Sequence, residues 1–326
     1  MAGLIAAHHQ DEDAARAYLE AKLWPEGPIC PHCGIINEAF RLNGETTRKG
    51  LWKCSACRKT FTVTVRTIFE DSKIPLHKWL FAIYLMCSSK KGMSAHQLWR
   101  NLWGVDEEGN QLGSYKTAWF MAHRIRWALG QEPIATKLSG IVEVDEVYLG
   151  GKTHSGKTRY EWSPSGRPRP RPRRNTWDNK APVVAMLQRD GNVHSRHIER
   201  VTSENLKPML EEIVEQNAIV MTDSATALKF PGKEREHHTV NHSAKEYVRH
   251  EDGLTITTNT VESYFAIIQR GIHGVYHHVG KSYLDQYLRE FDYRYNVRKM
   301  NDQDRAALAI KKTHGKRLML KAPKGQ

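Results

Sequence analysis

Three acidic residues stand in settings suited to chemistry: Asp145 in IVEVDEVYLGG, Asp223 in AIVMTDSATAL and Glu262 in TTNTVESYFAIIQRG. The first two end or interrupt short runs of β-branched and apolar residues, which puts them on strands or at strand ends. The third opens a run in which Val261, Phe265, Ile268 and Ile272 recur at helical spacing. Two strand-borne aspartates and a helix-borne glutamate can converge into one carboxylate cluster. All-oxygen clusters suit Mg²⁺ or Mn²⁺, and a pair of such ions is a standard means of breaking phosphodiester bonds. Phosphoryl transfer is therefore the leading expectation. Glu143, Glu146 and Asp178 are competing acids nearby. Alternation along a strand puts Glu143 and Asp145 on one face and Val142, Val144 and Glu146 on the other. Spacing alone does not choose between Glu143 and Asp145.

A second constellation is built from sulfur. Cys30 and Cys33 form C-P-H-C, Cys54 and Cys57 form C-S-A-C, and twenty residues separate the pairs. Two such knuckles read as one tetrahedral Zn²⁺ site, and with four protein ligands the ion is structural. The fifth cysteine, Cys87 in LFAIYLMCSS, reads as a small buried hydrophobe.

Composition narrows the partner. The 326 residues carry a formal charge of +13, with 40% apolar residues and nine tryptophans, and the pI is near 9.5. Such a chain folds around a core and seeks a polyanion, for which nucleic acid is the simplest candidate. No apolar run approaches the roughly 18 residues of a membrane span, and MAGLIAAHHQDEDAARAYLE lacks the basic start of a signal peptide. The expected location is the cytoplasm, at the nucleoid.

Elements that could position these groups follow in order. Residues 1–23 read as an amphipathic helix. Residues 24–70 read as a zinc ribbon, with KTFTVTVRTIF as a strand and a basic, aromatic surface (Arg48, Lys49, Trp52, Lys53, Arg58, Lys59) that suits either a phosphate backbone or plain solvation. Residues 71–132 read as three helices, with Ser94 as an N-cap. The last, SYKTAWFMAHRIRWALG, places Lys116, His123, Arg124 and Arg126 away from its apolar positions. That arrangement resembles a helix-turn-helix, whose last helix enters the major groove; a linker bundle is the alternative.

From 133 to 300 the pattern is strand, strand, strand, helix, strand, helix, the element order of an RNase H-like fold, with a hairpin at Asp190-Gly191-Asn192 and a Ser203 helix cap. Residues 152–180 interrupt it with RPRPRPRR. Proline alternating with arginine excludes helix and central strand, so Lys152, Arg167, Arg169, Arg171, Arg173 and Arg174 read as an extended DNA-binding arm beside Asp145. The final helix runs from about Ser282 to Lys299. Residues 301–326 read as a basic, weakly patterned tail.

VEVDEVYLGGK, MTDSA, VNHSAKEYVR and TNTVESYFAIIQRGIHGVYHHVGKSYLDQYLREFDYRYNVR resemble the DDE transposases of bacterial insertion sequences. More narrowly, they resemble the group with a zinc ribbon ahead of an RNase H-like domain. The CPHCG knuckle, RTIFEDSKIPLHKWLFAIYL and AWFMAHRIR belong to the same likeness, which covers nearly all of residues 24–300. It implies a mixed α/β chain with Asp145, Asp223 and Glu262 as the catalytic triad. The triad would hold two Mg²⁺ (or Mn²⁺) ions for cleavage at an element's ends, and the freed 3′-hydroxyl would then attack target DNA. It also implies that ribbon and helices read terminal inverted repeats, and that pairing two ends requires a homodimer or larger assembly. One departure is plain: where the family often carries a lysine after the glutamate, this chain has Gln269-Arg270, so phosphate contact passes to Arg270. Asn259, one turn before Glu262, and His242 in VNHS are auxiliary candidates, whereas the other histidines show no complete set of metal-ligand spacings. The rival readings are a DNA-binding regulator derived from such an enzyme and an RNase H-type nuclease.

Overall fold

Helix α1 (Glu12–Leu23) begins where Asp11 accepts the Ala14 N–H at 2.7 Å, an ordinary acidic N-cap, and it buries Ala15 and Leu19. In the computed structural model, which describes residues 6–130, 136–150, 160–162, 164, 166–170, 180–223 and 235–316, the chain divides into two units. One comprises Met1–Gln131 with Arg289–Gln326, and the other Glu132–Leu288.

In the first unit a three-stranded antiparallel sheet follows α1: β1 (Ala39–Arg41), β2 (Trp52–Cys54) and β3 (Thr60–Phe61). The Glu20 carboxylate on α1 accepts from the Arg41 guanidinium and, at 3.1 Å, from Trp52 Nε1, so the small sheet leans on the helix. The strand expected through KTFTVTVRTIF ends at Phe61. Beyond it the chain turns, Arg66 adopts φ 58°, and Val63, Ile68 and Phe69 are all buried instead of alternating. Three helices come next: α2 (Leu76–Ser88), α3 (Ala95–Trp103) and α4 (Tyr115–Leu129). Ser94 caps α3 through the Gln97 N–H at 3.2 Å, while Cys87 on α2 is fully buried and its thiol is pushed up to about 12 by that burial.

The second unit is built on a five-stranded sheet. Its strands are β4 (Ile141–Leu149), β7 (Ala181–Gln188), β8 (Val193–His197), β9 (Ile219–Asp223) and β10 (His237–Val240), in the order β8-β7-β4-β9-β10. β7 runs antiparallel to both β4 and β8, whereas β9 and β10 run parallel to β4. The hairpin expected at Asp190-Gly191 joins β7 to β8, with Asp190 at φ 60°. Between β4 and β7 a short hairpin pairs β5 (Tyr160–Trp162) with β6 (Pro168–Pro170), so part of the arginine-proline arm is extended and paired. Helix α5 (Ser203–Ile213) starts one residue earlier than its expected cap: Thr202 takes the N-cap position, and Ser203 is the first helical residue. Leu206, Leu210 and Ile213 of α5 share a core with Val142, Val144, Val184, Met186 and Val220, which covers one sheet face. A hairpin not foreseen from sequence, β11 (Val248–Glu251) with β12 (Leu254–Thr257), leads into α6 (Asn259–Gly271) and a π turn, Ile272–Tyr276. A central strand flanked by one antiparallel and one parallel arm is the RNase H-like arrangement.

Helix α7 (Leu284–Asn296) carries the chain back into the first unit. The tail expected to be weakly patterned forms α8 (Asp302–Lys311). Asn301 caps it through the Asp304 N–H at 2.9 Å, and Ala306, Ala309 and Ile310 join the core that holds Leu80 and Ile83 of α2. Alanines carry that face, which is why its hydrophobic periodicity is faint.

Candidate functional site

The register of the second unit's sheet decides which acids meet. β4 and β9 pair in parallel as far as Val144 with Thr222. Asp145 and Asp223 are therefore the next pair, at the point where β9 ends. The structure brings Asp145, Glu146 and Asp223 together, each offering an oxygen within 4.8 Å of the others. Glu146 was expected on the opposite face. Its carboxyl nevertheless lies in the same group of oxygens as those of Asp145 and Asp223. One Glu146 oxygen is buried without a hydrogen-bond partner. Burial is the main reason the Asp145 carboxyl is pushed up to about 8; the Glu146 N–H donates to it at 2.8 Å and opposes the shift, while the charges of Glu146, Asp223 and Glu262 add to it. Glu146 is pushed up to about 7 by burial and by the charge of Asp223.

Glu262, in the first turn of α6, acts on Asp145 through its field but lies outside the 4.8 Å group. Its Oε1 instead accepts from Thr258 Oγ1 at 3.3 Å and faces His242 Nε2 at 3.5 Å. Glu143 does different work from Asp145. Fully buried, it accepts from the backbone N–H groups of Thr260 and Val261 at 2.9 and 3.0 Å and from Arg189, which pins the start of α6 to β4. Packing thus separates two acids that alternation left equivalent. Asn259 is exposed, as is Arg270 in the last turn of α6. An all-oxygen, half-buried donor set in which Asp145 and Glu146 favour protonation until a cation displaces the proton fits Mg²⁺ or Mn²⁺.

The cysteines form a second centre. Sγ atoms of Cys30 and Cys57 are 3.6 Å apart, those of Cys33 and Cys54 are 3.7 Å apart, and all four lie within 4.8 Å of one another. A tetrahedron with Zn–S bonds of about 2.3 Å has edges of about 3.8 Å, so the geometry fits zinc with no position left over.

The basic residues divide. Lys116 is exposed at the start of α4, and Arg167 is exposed. Arg124 and Arg126, expected on a groove-reading surface, are buried, as is His123. Arg126 Nε donates to Glu290 on α7 at 2.6 Å, and Arg124 Nη2 donates to the Glu70 carbonyl at 3.0 Å. Helical spacing placed these residues opposite Ile125 and Ala128, but Arg126 is met by an internal acid on α7 and Arg124 by the Glu70 carbonyl and the face of Trp79. Lys152, Arg171, Arg173, Arg174 and Asp178 lie outside the described residues, as does the side chain of Arg169. Sequence reasoning missed Arg189; nothing in the QRDG turn sets that arginine apart from a solvated one.

Comparison with known proteins agrees with this architecture. Residues 137–296 match the ISXO2-like transposase domain, and residues 10–60 match the transposase zinc-ribbon domain. The chain belongs to the zinc-ribbon transposases of insertion sequences, of the ISXO2-like kind. It is also 29% identical over 279 residues, 84% of this chain and 87% of the other, to an uncharacterized protein in transposable element ISH50 of Halobacterium salinarum. Its function is accordingly that of a transposase. Among the described residues no helix is long and apolar enough to cross a membrane.

Proposed function

We propose that the protein cuts and joins DNA at the ends of its insertion sequence, with Asp145, Asp223 and Glu262 as catalytic carboxylates. The observation that carries this reading is the meeting of Asp145 and Asp223, with Glu146, just beyond the Val144–Thr222 pair of β4 and β9. Bound there, a pair of divalent ions supplies an activated water or 3′-hydroxyl and a counter-charge for the leaving oxygen. Asp145 and Asp223 would hold the ions, Asp145 after giving up its proton. Glu262 turns from Thr258 and His242 to complete the shell. Arg270, exposed on the same helix, takes a substrate phosphate, and Asn259 and His242 assist around Glu262. Lys116, Arg167 and the arginine-proline arm track the DNA backbone. Terminal inverted repeats are bound by a dimer or larger assembly in the bacterial cytoplasm, at the nucleoid, while Zn²⁺ on Cys30, Cys33, Cys54 and Cys57 folds the ribbon.

The test is an end-cleavage assay on the flanking genomic DNA with Mg²⁺, with and without chelator. Asp145→Asn and Asp223→Asn should each abolish cleavage and leave end-DNA binding intact. Undiminished cleavage by either variant removes the assignment.

A further inference from the structure

The Glu143 carboxylate is wholly buried, yet it is among the most heavily hydrogen-bonded groups in the catalytic unit. Oε2 accepts the backbone N–H groups of Thr260 (2.9 Å) and Val261 (3.0 Å). Oε1 accepts Thr260 Oγ1 (2.9 Å) and the Nε and Nη2 of Arg189 (3.1 and 2.9 Å). These two N–H groups belong to the first turn of α6, where no intrahelical acceptor exists and where the helix dipole favours an anion. Arg189 in turn donates to the carbonyls of Thr255 (2.9 Å) and Thr257 (3.4 Å), on the strand that feeds α6. One ion pair, its carboxylate wholly buried and its arginine partly so, therefore grips both the helix start and the strand before it.

Position gives this grip its meaning. Glu143 lies two residues before Asp145 on β4, and Glu262 follows Val261 directly in the helix. The height and rotation of Glu262 over Asp145 are fixed by where Thr260 and Val261 dock. We propose that Glu143 and Arg189 are positioning residues: they set the third catalytic carboxylate against the first, although neither takes part in the chemistry. The inference rests on Glu262 being that third carboxylate.

A purely architectural ion pair would be indifferent to metal, so the experiment measures metal binding as well as rate. The full-length chain is titrated with Mg²⁺ by calorimetry, and end cleavage is measured for KM and kcat. Glu143→Gln keeps the shape but removes the charge that Arg189 and the helix N-terminus require. It should weaken Mg²⁺ binding and lower kcat by about tenfold or more, the range seen when supports behind metal ligands are removed, with KM for end DNA unchanged. Thr260→Val should move both readings the same way by a smaller factor, and Thr260→Ser should restore them. A folded Glu143→Gln protein with the parent's Mg²⁺ affinity and kcat overturns the proposal. If Glu143→Gln does not fold, the Thr260 pair decides, and a Thr260→Val protein with unaltered Mg²⁺ affinity overturns it equally. Asp145→Asn serves as the control. Cleavage that survives in it defeats the carboxylate reading; its loss alongside unaffected Glu143 and Thr260 variants defeats only the clamp.

Discussion

The Glu146 N–H donates to the Asp145 carboxylate at 2.8 Å, and these two neighbours in sequence each turn an oxygen toward Asp223. Three acids so placed cannot all ionise at little cost. Burial, with the neighbouring negative charges adding to it, makes Asp145 and Glu146 hold their protons into the neutral range, to about 8 and about 7.

That shift carries a definite pH signature. In the absence of metal, the folded chain binds protons at Asp145 that the unfolded chain has already released. Its contribution to stability is complete below the ordinary carboxylate range and is lost as pH rises through about 8. Mg²⁺ must displace those protons, so its affinity should climb between pH 6 and 8 by up to about tenfold per unit for each proton released. Calorimetric titration across that window checks this. Asp145→Asn should flatten the pH dependence, and an equally steep curve in that variant contradicts the assignment.

Removing zinc should unfold β1 to β3 and leave the RNase H-like sheet intact. So small a sheet has little core of its own beyond Trp24, which meets Trp52 and Phe61 edge-on at 5.9 and 5.8 Å. Hydrogen exchange after chelation, or in Cys33→Ser, should show protection lost over residues 30–61 and kept over 181–188. Uniform protection throughout would contradict a metal-dependent ribbon.

Arg126 and Lys116 should separate stability from binding. Arg126→Ala leaves the buried Glu290 without one of its arginine partners, Arg126 and Arg294, and should cost about 3 kcal/mol of stability. Lys116→Ala should leave the melting temperature unchanged and weaken DNA binding in a salt-dependent way. Thermal melts together with binding isotherms resolve the two. A stable Arg126→Ala protein with a pure binding defect would return that residue to the DNA surface.

Arg270 is expected to act on phosphate. Its replacement by alanine should lower end-DNA affinity and reduce the slope of log affinity against log salt by about one. Arg270→Lys should keep the slope, since the charge remains, but recover cleavage only in part, because the bidentate fork is gone. An unchanged slope in the alanine variant excludes the contact.

Much of this was legible in the residues because the strongest signals are local. Cysteine spacing marks a tetrahedral site whatever surrounds it, and strand, turn and cap patterns around 141–149, 181–197 and 219–223 need only their neighbours. What resisted reading was set at a distance. Glu143 and Asp145 share a strand face, and only the docking of α6 gives one a helix to cap and the other a place in the acid cluster. Glu146 joins that cluster although strand alternation assigns it to the other face, and nothing in its own segment marks it out. Arg124 and Arg126 look like surface charges until Glu290, from the far end of the chain, meets Arg126, and the Glu70 carbonyl with the Trp79 ring meets Arg124. The same cause hid α8, whose alanine face makes sense only against α2.

That last packing has a temporal consequence. The unit holding the zinc ribbon is discontinuous: α2 completes its core with Ala306, Ala309 and Ile310, and Gly315 donates its N–H to the Arg66 carbonyl. A ribosome makes residues 132–288 before it reaches these partners, so the strands bearing Asp145 and Asp223 emerge while the ribbon unit still waits for its closing helix. During synthesis, the half that bears the acid cluster is finished before the half that carries the four cysteines.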